Sequence, residues 1–338
     1  MIFLVMALGV YLLIRHAEID LTNITTQVET NSQSFDKKSD HILFEELTIP
    51  YLRNREYYSE FKERVEYQNK QSYKSYLTSY VSDGLKINGL ITIPKGDEPF
   101  GGWPAIVFVH GYIPPTLYRT NEKYIEYVDY LAKNGFVVFK IDLRGHGQSD
   151  GEAGGAYYSS DYVIDVLNAY RALQNTDEID KNKVFLWGHS MAGNVLFRVA
   201  AVEGNIPKIV IWAGAVYSYS DFTKYGISDN SYRPAGMTQN RQRKRQQIFD
   251  TYGQFNSESD FWRKVSAVNY LDDVNTQFQV HHAVDDNVVN IGYSRDLEKI
   301  LLDSNKYVEY FEYKTGGHNI NGTSFTDAMR RTVDFLRR

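Results

Sequence analysis

Residues 184–193 read Val-Phe-Leu-Trp-Gly-His-Ser-Met-Ala-Gly, an apolar run that breaks into a serine flanked by small residues. This stretch limits the possible folds more than any other. Val184 to Trp187 carry the pattern of a buried strand, and Asn194 to Val202 that of the helix after it. To pass from one to the other in so few residues, the backbone must turn sharply. Such a turn lifts the Ser190 hydroxyl clear of the sheet and sets it at a helix N-terminus. Bulky side chains two positions either side of the serine would collide across it. Gly188 meets that need, Ala192 meets it with one extra methyl, and Gly193 follows. The letters G-x-S-x-A-G are one residue away from the G-x-S-x-G nucleophile elbow. A serine ahead of a helix also serves as an ordinary N-cap, so the rest of the chain must decide.

A serine nucleophile needs a base and an acid, and on a strand–elbow–helix frame they follow in the chain order Ser, acid, His. Downstream, the strand-like run Thr276–Val284 ends in Asp285-Asp286-Asn287-Val288-Val289. The strand-like run Tyr307–Tyr313 is followed by Lys314-Thr315-Gly316-Gly317-His318. Both candidates lie just past the C-terminal ends of strands, where ligands gather in open α/β sheets. Of the eight histidines, His318 is the one that follows Ser190 and sits on a Gly-rich loop. His281 and His282 fall inside a strand, and His189 projects from the far side of the turn. The expected catalytic set is Ser190, Asp285 and His318, with the Asp286 side chain turned away.

From about Leu77 to the carboxyl end the chain resembles an α/β-hydrolase, more narrowly the prolyl-oligopeptidase (S9)/dienelactone-hydrolase branch. The motifs that carry the resemblance are Val107-Phe-Val-His-Gly-Tyr112, Asp142-Leu-Arg-Gly-His-Gly-Gln-Ser-Asp-Gly151, Gly188-His-Ser-Met-Ala-Gly193, Val280-His-His-Ala-Val-Asp-Asp286 and Gly316-Gly-His318. Two departures stand out: Ala192 replaces a glycine, and His282 sits where the family commonly has glycine before the acid. The resemblance implies an α/β-hydrolase fold, that is, a mainly parallel doubly wound sheet with an N-terminal antiparallel hairpin and a helical cap insertion. It implies an oxyanion hole built from the backbone N–H groups of Met191 and Tyr112. Arg144 is expected to pin loops rather than to anchor substrate.

Element patterning agrees with that fold. Tyr73–Val81 and Leu85–Ile93 read as strands joined at Ser82-Asp83-Gly84, a hairpin signal. Further strands are expected at 105–109, 136–142, 183–187, 208–212, 277–283 and 307–313. Helices are expected at 121–134, 160–174, 191–202, 294–303 and 325–337. Between Tyr57 and Tyr67 the spacing of Glu, Arg and Tyr is helix-like. Residues 217–274 form a long insertion, expected to cap the active site. Its aromatic residues (Phe222, Tyr225, Tyr232, Phe249, Tyr252, Phe255, Phe261 and Trp262) read mostly as the cap's own small core, and Arg241–Arg245 as a solvated helix face.

Met1–Ile14 carries no charge and is followed by Arg15. It is shorter than the roughly 20 apolar residues of a bilayer-crossing helix. Segment 1–21 is read as a membrane anchor or signal segment, 22–41 as a flexible tether, and 42–338 as the catalytic domain. The expected location is membrane-anchored or secreted, with the enzyme facing outward. A net charge of −5 gives no reason to expect nucleic acid, and the absence of cysteine excludes disulfides, thiolate metal sites and a cysteine nucleophile. No cofactor and no metal are expected. The function expected is cleavage of an ester bond in a small-molecule substrate through an acyl-enzyme. A short-peptide peptidase is the alternative, and a non-catalytic binding module on the same fold is the reading from another class. Only about 70 residues precede Tyr73, too few for the propeller of gated peptidases.

Overall fold

In the computed structural model, residues 42–227 and 239–338 are described. Nine strands among them form one sheet: β1 (Val65–Asn69), β2 (Tyr73–Ser82), β3 (Leu85–Pro94), β4 (Trp103–Val109), β5 (Val137–Ile141), β6 (Ile179–His189), β7 (Lys208–Trp212), β8 (Gln277–Ala283) and β9 (Val308–Tyr313). Their order is β1-β2-β3-β5-β4-β6-β7-β8-β9. The first three pair antiparallel and join β5 antiparallel, and the six from β5 to β9 run parallel. The β2–β3 hairpin turns on Asp83 and Gly84, both at positive φ (50° and 76°), the conformation that an Asp-Gly pair supplies for a tight hairpin.

The helices are α1 (Ile49–Arg53), α2 (Ile125–Lys133), α3 (Asp161–Gln174), α4 (Ala192–Glu203), α5 (Tyr219–Tyr225), α6 (Gln239–Tyr252), α7 (Asp260–Val265), α8 (Gly292–Asp303) and α9 (Thr323–Arg337). Alternation along the parallel strands sorts the core into two layers. Val107, Leu186, Ile211 and Val280 pack on one face with Leu167 of α3, Leu196 of α4 and Leu297 of α8. Ile106, Phe108, Trp187 and Trp212 pack on the other with Leu131 of α2 and Met329 and Val333 of α9. Both faces of β4, β5, β7 and the Val184–His189 end of β6 are therefore largely dry, which is why these strands read as nearly continuous apolar runs, whereas β8 buries Gln279, His281 and His282 and the edge strand β9 is mostly half-buried. Each large apolar side chain so buried stabilises the fold by about 1.5–3 kcal/mol.

The helix-like spacing between Tyr57 and Tyr67 does not become a helix. Val65–Asn69 is instead an edge strand on β2, with a bulge between Glu66 and Gln68. All five of its residues are exposed, so burial imprints no period of two on the sequence. Only backbone pairing defines the strand.

The insertion holds α5, α6, α7 and a 3₁₀ segment at Ala267–Asp273. Its aromatics pack largely on one another: Tyr252 stacks on Phe261 at 3.8 Å, and Trp262 meets Phe249, Phe255 and Phe261. They form a small core of their own, as the sequence reading favours. Tyr232, the anchor segment 1–21 and the tether 22–41 lie outside the described residues. Among the described residues, no helix is long and apolar enough to cross a membrane.

Candidate active site

β6 ends at His189, α4 begins at Ala192, and Ser190 stands between them at φ 57°. A left-handed conformation costs a non-glycine residue about 1–2 kcal/mol, and such strain clusters at functional sites. The turn is held by hydrogen bonds. The Ser190 amide donates to the Trp212 carbonyl at 2.9 Å, and the Ser190 carbonyl accepts from Gly193 at 2.8 Å and Ala215 at 3.3 Å. A Cβ on Gly188 would lie 2.8 Å from the Ala192 Cβ and 2.7 Å from Leu196 Cδ1. The turn thus tolerates the methyl of Ala192 because Gly188 has no side chain. The departure from G-x-S-x-G is accommodated within the motif itself.

His318 sits past β9 on a short 3₁₀ turn, Gly317–Asn319, with its side chain 17 % exposed. Its Nδ1 is 2.8 Å from Asp286 Oδ2. This corrects the sequence expectation, which gave the partner as Asp285. The Asp286 carboxylate is fully buried. Its Oδ1 accepts the backbone N–H groups of Val288 (2.8 Å) and Val289 (3.0 Å). Asp285 is exposed and does something else: its carboxylate accepts the N–H groups of Gly317 (2.8 Å) and Gly316 (3.3 Å), fastening the loop that carries His318. The physical reason is the length of the strand. β8 stops at Ala283, and the turn after it spends Val284 and Asp285 facing outward before Asp286 folds back under the histidine loop.

A second imidazole reaches the same carboxylate. His282 Nε2 lies 3.1 Å from Asp286 Oδ2 and 3.1 Å from the Val289 carbonyl, while its Nδ1 meets Ser294 Oγ at 2.7 Å. The carbonyl can only accept, so Nε2 carries the proton and Ser294 donates to Nδ1. Burial pushes the Asp286 carboxyl upward. The hydrogen bonds from His282 and His318 outweigh that and hold it well below the usual carboxylate range. His281, the neighbour of His282, points to the opposite face and stacks on Phe311 and Tyr313. Both members of the pair are fully buried.

The loop after β4 closes on the serine. A Cβ on Gly111 would stand 3.0 Å from the Ser190 Cβ, so glycine is what permits this approach. Two buried imidazoles fix the loop from behind. His110 Nδ1 is 2.6 Å from the Gly111 carbonyl, and His146 Nε2 is 3.1 Å from the Ile113 carbonyl. Tyr112, half-buried against the core, follows Gly111. Met191 opens α4, whose first N–H groups have no intrahelical acceptor. Gly111 and Met191 therefore flank Ser190 at the elbow, the His318 ring stands 4.5 Å from that of the neighbouring His189, and Asp285 holds the loop of His318 from its exposed side.

The comparisons agree with this frame. Residues 104–229 match the model of the family described as serine aminopeptidase, S33, and residues 167–326 that of the BAAT/acyl-CoA thioester hydrolase C-terminal family. An uncharacterized peptidase of Bacillus subtilis, YtmA, is 26% identical over 253 residues, spanning 73% of this chain and 87% of that one. The chain superposes on an acetyl xylan esterase from Paenibacillus sp. R4 with a TM-score of 0.60 at 18% identity, over 85% of this chain and 92% of that chain. It superposes on a Pyrococcus horikoshii acylaminoacyl peptidase with a TM-score of 0.61 at 19% identity, over 80% of this chain and 42% of that chain. The chain has the α/β-hydrolase fold, and the proteins it resembles are serine esterases and peptidases.

Arg144 plays the part expected of it in this hydrolase. Its guanidinium forks onto the fully buried Asp165 of α3, with Nη2 to Oδ1 at 2.6 Å and Nε to Oδ2 at 2.9 Å. Its backbone N–H donates to the same carboxylate at 3.2 Å. The arginine is thus committed to holding the 142–151 loop on α3. Sequence reasoning missed the reach of His282 to the Asp286 carboxylate. It had a signal: His282 precedes Asp286 by four residues, a spacing that only matters once Asp286 is the partner of His318.

Proposed function

We propose that this hydrolase cleaves carboxylic esters through an acyl-enzyme on Ser190. His318 removes the hydroxyl proton as Ser190 Oγ attacks the carbonyl carbon, then returns it to the leaving alcohol. Asp286 holds Nδ1–H of His318, which leaves Nε2 as the base and stabilises the imidazolium that forms. The N–H groups of Met191 and Tyr112 receive the oxyanion, a contribution of about 3–4 kcal/mol per donor. Water then enters, His318 takes its proton, and the acid is released with Ser190 restored.

The observation that carries this reading is the 2.8 Å Asp286–His318 bond, with the His318 ring 4.5 Å from that of His189, the residue that precedes a serine on a left-handed elbow. A non-catalytic module has no use for a carboxylate buried and saturated in this way under a partly exposed imidazole. Ester over amide is favoured because, of the two solved structures, the acetyl xylan esterase corresponds over nearly its whole length and the acylaminoacyl peptidase over less than half of its own. Cleavage of short peptides is the second reading, supported by the aminopeptidase family match and by the uncharacterized peptidase YtmA, matched over 87% of its length. The test is a panel of p-nitrophenyl acyl esters beside aminoacyl and prolyl anilides, with fluorophosphonate labelling of wild type and Ser190→Ala. An unlabelled wild type, or a Ser190→Ala variant that turns over esters normally, refutes the proposal. A preference for anilides replaces ester with amide.

A further inference from the structure

His189, next to the nucleophile, points away from substrate and is 3 % exposed. Its Nε2 lies 2.8 Å from the backbone carbonyl of His318, and its Nδ1 lies 2.8 Å from the phenol oxygen of Tyr124. That phenol oxygen in turn accepts the Gly111 backbone N–H at 3.0 Å. The polarity of this chain has one solution. A carbonyl only accepts, so Nε2 of His189 carries its proton. Burial first, then the neighbouring His318 imidazole, push the His189 pKa down to about 3, so Nδ1 is a bare lone pair. Tyr124 must therefore donate to it, and keeps a lone pair for Gly111. The bonds run head to tail: Gly111 N–H to Tyr124 O, Tyr124 O–H to His189 Nδ1, His189 Nε2–H to His318 C=O.

Four elements meet in this chain: the loop after β4, the start of α2, the end of β6 and the loop after β9. Tyr124 itself stands at φ 60° ahead of α2, a left-handed position that a bulky residue adopts only when its surroundings fix it. The Gly111 amide precedes Tyr112, and a Cβ on Gly111 would touch the Tyr124 hydroxyl (3.0 Å) and His189 Nδ1 (3.1 Å), so the contact is tight throughout. The His189 and His318 rings are 4.5 Å apart.

We infer that Tyr124 and His189 are positioning residues, which tie the oxyanion loop to the base loop and so fix the donor of Tyr112 and the imidazole of His318 relative to Ser190. Neither touches substrate. The oxyanion donor and the base must act on the same tetrahedral centre from opposite directions, and they sit on loops separated by some 200 residues of chain. A bonded strut through the residue beside the nucleophile sets both distances at once. Removing the Tyr124 hydroxyl leaves the Gly111 amide and His189 Nδ1 without their partner, and both loops are released.

The inference rests on the triad reading, so wild type is first labelled with a fluorophosphonate. Absence of Ser190-dependent labelling counts against that reading and not against the strut. With labelling established, Tyr124→Phe is expected to lower kcat for a p-nitrophenyl ester by about 10- to 100-fold with KM within about twofold, as for a misplaced catalytic group. Affinity for an alkyl boronate, which mimics the tetrahedral state, should fall in proportion to kcat/KM. The double variant Tyr124→Phe/His189→Asn should be no slower than the slower single variant, because either change cuts the same strut. Wild-type kcat in Tyr124→Phe, a raised KM with kcat intact, boronate affinity unchanged, or losses that multiply in the double variant each overturn the inference. Should Tyr124→Phe not fold, His189→Asn alone carries the test. Its amide oxygen offers Tyr124 an acceptor in place of Nδ1, but its NH₂ sits on too short a side chain to reach the His318 carbonyl, and the same kcat loss is required of it.

Discussion

Exchanging the two adjacent aspartates should separate their roles by several orders of magnitude. In Asp286→Asn the carbonyl oxygen of the amide can still take the Val288 and Val289 N–H groups, which leaves the NH₂ where Oδ2 was. Two N–H donors, from His318 and His282, then face a third donor in a fully buried position. His318 relieves the clash by shifting its proton to Nε2, the nitrogen that must be bare to accept from Ser190. A wrong tautomer of this kind costs about 10⁴-fold in kcat, which is about 5 kcal/mol of barrier. Asp285→Asn keeps an oxygen for the Gly317 amide and changes no group that touches His318. Its kcat should stay within about threefold of wild type, a barrier change below ~0.7 kcal/mol. The assay is steady-state hydrolysis of p-nitrophenyl acetate from pH 6 to 9, with labelling by a fluorophosphonate as a check on Ser190 reactivity. If Asp285→Asn is the crippled variant, or if the two lose activity equally, the assignment of Asp286 as the acid is wrong.

Ser190→Ala and His318→Ala should each leave less than about a hundredth of wild-type kcat while the fold persists, since both groups lie at strand ends where truncation opens no core cavity; circular dichroism beside the rate assay checks it. His282→Phe removes one donor from the Asp286 carboxylate and leaves Ser294 without its acceptor; a loss of about 1–3 kcal/mol in urea unfolding is expected. Arg144→Ala strands the buried Asp165 and should cost about 3–5 kcal/mol in the same unfolding assay, whereas KM of the folded enzyme stays put; a raised KM with unchanged stability would instead make Arg144 a substrate anchor. His189 and His281 both have pKa values pushed down to about 3, chiefly by burial, against an ordinary value of 6.5. The unfolded chain therefore binds more protons than the native one between those limits, so their stabilisation is complete above pH 6.5 and is lost as pH falls, at up to about 1.4 kcal/mol per histidine per pH unit. Urea midpoints at pH 7.5 and 5.5 should show the lower value at 5.5, and equal midpoints would mean that these imidazoles are not held neutral.

The parallel strands and the elbow were legible because burial on two faces writes itself directly into composition. Val184–Trp187 and Ile209–Trp212 carry only apolar residues where helices cover them, and a glycine two places before a serine has a steric cause that Gly188 makes explicit. Edge strand β1 was illegible for the converse reason, since every side chain on it meets water. The acid failed on a finer point. A strand end locates a carboxylate to within one residue, and side chains at that distance point to opposite sides, so Asp285 and Asp286 carry equal weight until the turn is known. What breaks the tie is a pairing that sequence displays only in hindsight: His282 stands four residues ahead of Asp286, and its imidazole, held by Ser294 and Val289, can reach that carboxylate and not the exposed one. The strut from Gly111 to His318 lies further out of reach. Its members are 13, 65 and 129 residues apart in successive steps, and each bond depends on a lone pair whose direction is set by the next. Local pattern finds the reacting groups, because each must sit on its own kind of turn. The groups that aim them are chosen by the assembled sheet, and no single stretch of chain announces them.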